Sequence, residues 1–134
     1  MPVSVDSRRP AKSPTTPTTP AVLAPQLPDP ALAIAYDEAR RYVQLRLRSL
    51  PHGGLRATCT AFGFPYTTSV GLKTGSLQRE EYRLVQKHLR VFGFETELVR
   101  LLVGGQLCEH YLFSDAALLA TLREQLAAHE QLVS

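Results

Sequence analysis

The chain has no apolar run of roughly eighteen residues, the length a helix needs to cross a bilayer, and residues 1–24 lack the apolar stretch of about seven residues found in a secretory leader. A soluble, cytoplasmic protein without membrane contact is therefore expected. Cysteine is scarce: Cys59 and Cys108 are the only two, and no Cys-x-x-Cys pair occurs. That argues against a disulfide scaffold and against a zinc site with close paired ligands, and both thiols are expected to act as small hydrophobes in a reducing compartment. Gly104-Gly105 lacks the Gly-x-Gly-x-x-Gly or Gly-Lys-Ser context of a phosphate loop, and no pair of carboxylates falls in a catalytic spacing. Cys108 and His110, with His88 or His52, are the nearest approach to a metal or nucleophile set. A single Cys-x-His reads better as a packed thiol and surface imidazoles. No enzyme activity, metal or cofactor is expected.

What the chain does contain is uneven. Residues 1–28 hold seven prolines, repeated Thr-Thr-Pro units and no Phe, Tyr or Ile. So little apolar surface cannot offset the entropy of ordering, and a disordered arm is expected there, with one domain over residues 29–134. Charge is just as unevenly spread. Between Arg40 and Arg100 eleven Lys or Arg face four Glu, a balance of +7, whereas Leu101 onward carries −3. A basic middle between neutral or acidic ends fits either a polyanion-binding segment or a solvated helix face.

Helical signals begin where the arm stops. Asp29 followed by Pro30 is an N-cap acceptor before a residue that tolerates the first helical turn. Leu32, Tyr36, Ala39, Val43, Leu47 and Leu50 then recur at spacings of three and four, predicting a helix that ends before Pro51, with Arg40, Arg41, Arg46 and Arg48 outward. Leu55, Cys59 and Phe62 mark a short helix stopped by Gly63, and residues 66–74 a second one stopped by Gly75. Tyr82, Val85, Leu89 and Phe92 mark a further helix. Glu80 and Glu81 are expected in its first turn and Lys87, His88 and Arg90 near its end, matching the helix dipole.

Cys59, Gly63, Phe64, Leu72 and Gly75 carry a motif: a small residue four before a turn glycine, apolar residues one and nine after it, and a second glycine twelve after it. With the leucine-then-glycine stop at Leu89 and Gly93, residues 31–94 resemble the Cro and phage-repressor (Xre-type) helix-turn-helix family. The resemblance implies sequence-specific binding of double-stranded DNA by a transcriptional regulator, a repressor or antitoxin. The first short helix would cross the phosphate backbone while the second lies in the major groove. Carried over position by position, Tyr66, Thr67, Val70 and Gly71 would read bases, while Tyr66, Thr68, Lys73 and Thr74 would meet phosphates. A homodimer, and a toxin or other protein partner, are the further partners implied. The alternative is an interaction module that keeps the scaffold for protein contact.

The chain departs from that pattern at Ser69, where the family places a buried Val or Ile, and Val70 stands one position on. Either the second helix is rotated or the motif survives as a packing unit. Residues 97–113 read as two strands around a Gly104-Gly105 hairpin turn, in competition with the fifth helix usual in the family. Ser114-Asp115 then caps a helix over about 115–131, with Leu118, Leu119, Leu122 and Leu126 on one side for its own core or for a second subunit. The expected fold is mainly α: a compact helical bundle with a short hairpin, a C-terminal helix and a disordered N-terminal arm.

Overall fold

The computed structural model describes residues 28–133, so the arm expected over residues 1–28 lies outside the described residues except for Pro28. Among the described residues, five α-helices accompany one small antiparallel sheet.

Asp29 is a cap, but of something shorter than expected. Its carboxylate accepts from the Ala31 N–H at 2.9 Å and closes a single 3₁₀ turn, Pro30–Leu32. Strand β1, Ala33–Ala35, follows, and helix α1 begins only at Tyr36 and runs to Arg48. The expected start near Pro30 is thus corrected, because Ala33, Ile34 and Ala35 pair with Leu112, Tyr111 and His110 across the sheet. That ladder buries Ile34 almost completely and satisfies backbone groups that a helix would otherwise satisfy internally.

Helix α1 buries Tyr36, Ala39, Tyr42, Val43, Leu45 and Leu47. Of its four arginines only Arg48 is exposed. Arg40 donates to the Leu77 carbonyl at 2.7 Å, Arg41 pairs with Glu130 at 2.7 Å, and the Arg46 guanidinium lies 4.5 Å from the Phe92 ring centroid while donating to Tyr42 Oη. These cations brace α1 against its neighbours, so the expectation that all four look outward is corrected.

Helices α2, Gly54–Phe62, and α3, Tyr66–Thr74, are joined by a three-residue turn. Gly63 sits at φ 72°, a left-handed conformation that costs residues with a Cβ, and the Phe64 N–H then returns to the Cys59 carbonyl at 2.9 Å. Leu55 and Cys59 are buried as their spacing predicts. Phe62 is not, at 57% exposure, because the chain reverses at Gly63 before that ring reaches the core. Within α3 the inward positions are Ser69, Gly71 and Leu72. Ser69 takes the fully buried place, and Val70 stays half-buried, packed against the edge of the core.

Helix α4, Tyr82–Val91, starts after Glu80 and Glu81 and holds no acid in its first turn, which corrects their expected place. Glu80 instead accepts from the Tyr82 hydroxyl, and Glu81 pairs with Arg79. Leu84, Val85, His88 and Leu89 are buried, so His88 is a core residue and not a helix-end cation.

Strands β2, Thr96–Val103, and β3, Gln106–Phe113, meet at Gly104 and Gly105, whose φ of 57° and 82° suit the two-residue turn the sequence predicts. No fifth helix forms at this point. The strand order is β1-β3-β2, and the face carrying Ile34, Leu98, Tyr111 and Phe113 closes the core. Helix α5, Ala116–Val133, is capped by Asp115, which accepts from the Leu118 N–H at 2.9 Å. Leu119 and Leu122 are buried in the shared core with Leu118 and Leu126 against it, so the apolar stripe of α5 is used by its own domain. No helix among the described residues is long and apolar enough to cross a membrane.

Candidate nucleic-acid interface

At about 3.6 residues per turn, Lys73, Tyr66, Val70, Thr74 and Thr67 follow one another around a continuous arc of α3. Tyr66, Thr67 and Thr74 are exposed, and Val70 and Lys73 half-buried. The opposite arc holds Ser69 and Leu72, fully buried. Five of the seven sequence-predicted contact residues thus share one outward face. The other two do not. Gly71 is buried, and a Cβ there would lie 3.2 Å from the Leu77 Cβ, so it is a packing glycine beneath the loop that follows α3. Thr68 is half-buried on the far side of the helix, where Arg79 Nη2 donates to its hydroxyl at 3.4 Å. Of the predicted contact residues, Gly71 and Thr68 therefore lie off the outward face.

Cations from neighbouring elements extend the outward face. The Arg56 guanidinium of α2 lies 4.1 Å from the Tyr66 ring centroid, a cation–π contact that holds both side chains at the surface. Arg48 donates to the Lys73 carbonyl at 3.0 Å, anchoring the end of α3 to α1 and placing a positive charge at the negative pole of α3. Between these elements lies a cleft of about 430 Å³ lined by His52, Gly53, Arg56, Tyr66, Val70, Lys73 and Thr74 among others, with no carboxylate among its lining residues. Such a surface has donors, aromatic area and positive potential, which suits a polyanion.

Behind α3 the packing is polar. His88 Nε2 and Ser69 Oγ are hydrogen-bonded at 3.2 Å, both fully buried, and the other ring nitrogen of His88 has no protein partner among the described residues. Burial pushes the His88 pKa down to about 4, so the imidazole is neutral at physiological pH. The position six after the turn glycine is thus buried, and a Ser–His hydrogen bond fills it.

Spacing along the chain does not single out Arg56, the buried Ser69–His88 hydrogen bond, or the burial of His88. Arg56 meets Tyr66 across a turn, which helical periodicity does not register. Ser69 and His88 meet from two different helices. Cys108 and His110, weighed as metal ligands, stand on β3, where His110 Nδ1 is bonded to the Cys108 carbonyl at 3.0 Å. Among the described residues no three His, Cys, Asp or Glu side chains stand close enough to share a metal ion. Compared with known protein families, curated proteins and solved structures, the chain matches none of them.

Proposed function

We propose that the chain is a non-catalytic, sequence-specific binder of double-stranded DNA, a cytoplasmic transcriptional regulator or antitoxin, with α2 and α3 acting as a helix-turn-helix. The observation that carries the reading is the outward arc of α3: Tyr66, Thr67, Val70, Lys73 and Thr74 beside Arg56, in a cleft without acids. In this reading Thr67 and Val70 reach base edges, where a hydroxyl can contact several bases and an apolar group can meet a thymine methyl. Lys73, Arg56 and Thr74 meet phosphates, which fix orientation without reading sequence. Selection of random duplexes on the purified protein tests it. An enriched motif, bound with an affinity that falls steeply with salt, is the expected result. No enrichment, together with no duplex binding at low salt, would leave the two helices as a scaffold for protein contact.

A further inference from the structure

One exposed aromatic is not accounted for by the DNA-facing surface. Phe62 ends α2 with more than half of its area in water and stacks on Phe64, ring centroids 5.6 Å apart and planes 21° apart. Phe64 in turn meets the buried His88 ring edge-on, so the outer ring stacks on one that is itself packed against the core. Beside this pair lies a groove of about 420 Å³, completed by Lys87, Arg90 and Val91 of α4. Lys87 and Arg90 are both exposed; Arg90 pairs with Glu95 at 3.1 Å, and among the described residues Lys87 pairs with no carboxylate. Cations near the carbonyl end of α4 suit its dipole, but that role does not require a stacked aromatic pair at their side.

We infer that this groove is a docking site for a protein partner, a short acidic segment that seats one aromatic or aliphatic side chain against Phe62. Two features set the chemistry of the occupant. Rigid, solvent-exposed aromatics are the usual anchors of protein interfaces, since they offer large apolar area at small entropic cost. Both charged residues lining the groove are positive, and since Arg90 is already paired with Glu95, Lys87 supplies the charge that attracts an Asp or Glu flanking the anchor and repels a basic segment. The inference is independent of DNA reading, because no lining residue of this groove belongs to the outward arc of α3 or to the Arg56 cleft.

The test titrates the ¹⁵N-labelled full chain with a synthetic peptide carrying one Trp and two Leu among Asp and Glu. Two further arms use the same apolar residues among Lys, and oligo-dT. Saturable amide shifts centred on Phe62, Phe64, Lys87, Arg90 and Val91 are expected with the acidic peptide alone. Phe62→Ser is expected to weaken that binding at least about tenfold with the melting temperature and duplex binding unchanged. Lys87→Glu, a fully surface change, is expected to weaken it as well, and decides the matter if Phe62→Ser fails to fold. No saturable shift at these residues, or equal binding of the basic peptide, overturns the inference. Tighter binding of oligo-dT at the same residues would also overturn it, making the groove a stacking platform for single-stranded nucleic acid.

Discussion

The α2–α3 side and the β-sheet side of the molecule differ in charge and in how each is held. The cleft beside α3 contains Arg56, Lys73 and His52 and no acid, whereas the concavity beside the sheet, about 590 Å³, is bordered by Asp37, Glu80 and Glu109 with Arg100 as its one cation. The sheet side is secured by a continuous backbone ladder of eight residue pairs between β2 and β3. Each helix of the α2–α3 pair is only nine residues long, too short to be stable alone. Helix α3 and the loop after it are held by contacts from elsewhere: Arg48 to the Lys73 carbonyl, Arg40 to the Leu77 carbonyl, and His88 to Ser69. The outer face of α3 is thus polar and open, and α3 is fixed from behind by a few long-range contacts.

The comparison breaks most severely if the α3 anchor is removed. Leu72 is fully buried, and Leu72→Ala should cost about 2–5 kcal/mol in denaturant unfolding. Leu107→Ala, on the exposed end of the hairpin, should change stability by less than about 0.5 kcal/mol. Equal losses at the two sites would mean that both halves are held alike.

Acid should weaken the same anchor. The fold holds His88 neutral, with its pKa lowered from 6.5 to about 4 by burial. Above pH 6.5 the imidazole is neutral in both states and its contribution is complete. As the pH falls the unfolded chain takes up a proton that the fold refuses, and on the order of 3 kcal/mol is lost by about pH 4. Unfolding of wild type and His88→Leu from pH 7 to pH 4 checks this, because the variant lacks that part of the slope even if its starting stability is lower. Identical slopes would show that His88 is not held neutral by burial.

A smaller loss is expected at the turn. A Cβ on Gly63 would find nothing within 4 Å, so Gly63→Val acts through the left-handed φ alone, at about 1–3 kcal/mol. Gly63→Asn should lose less, since Asn tolerates that conformation. Smallest of all, Thr68→Ala should change duplex affinity by less than about 0.5 kcal/mol, because Thr68 faces away from the outward arc.

Where the sequence was legible, the signal was local. Gly104-Gly105 between apolar runs foretold the hairpin, and Gly63 and Gly75 marked the ends of the two short helices at which both adopt positive φ. Where it was not, the deciding partner lay far along the chain. Asp29-Pro30 is a true cap, yet the helix behind it gives way to β1 because Leu112 and Tyr111 supply a ladder. Ser69 breaks an apolar register, and its partner His88 lies on another helix that local spacing does not reach. Phe62 fitted a helical stripe that ends one residue too soon. In the candidate site the same rule holds: spacing placed Tyr66, Thr67, Val70, Lys73 and Thr74 on α3, but which positions face outward depends on Leu77 and Arg79 covering the rest.

The central claim, that the outward face of α3 reads base sequence, is tested most directly by the affinity of Thr67→Ala for the selected duplex and for a random one. A base contact contributes only to the matched site, so a loss of roughly 1–3 kcal/mol on the selected duplex and almost none on the random one is expected. Lys73→Ala serves as the control in the same titration, weakening both duplexes alike and reducing the salt dependence by about one phosphate contact. Equal losses for Thr67→Ala on both duplexes, or no loss on either, would contradict the claim.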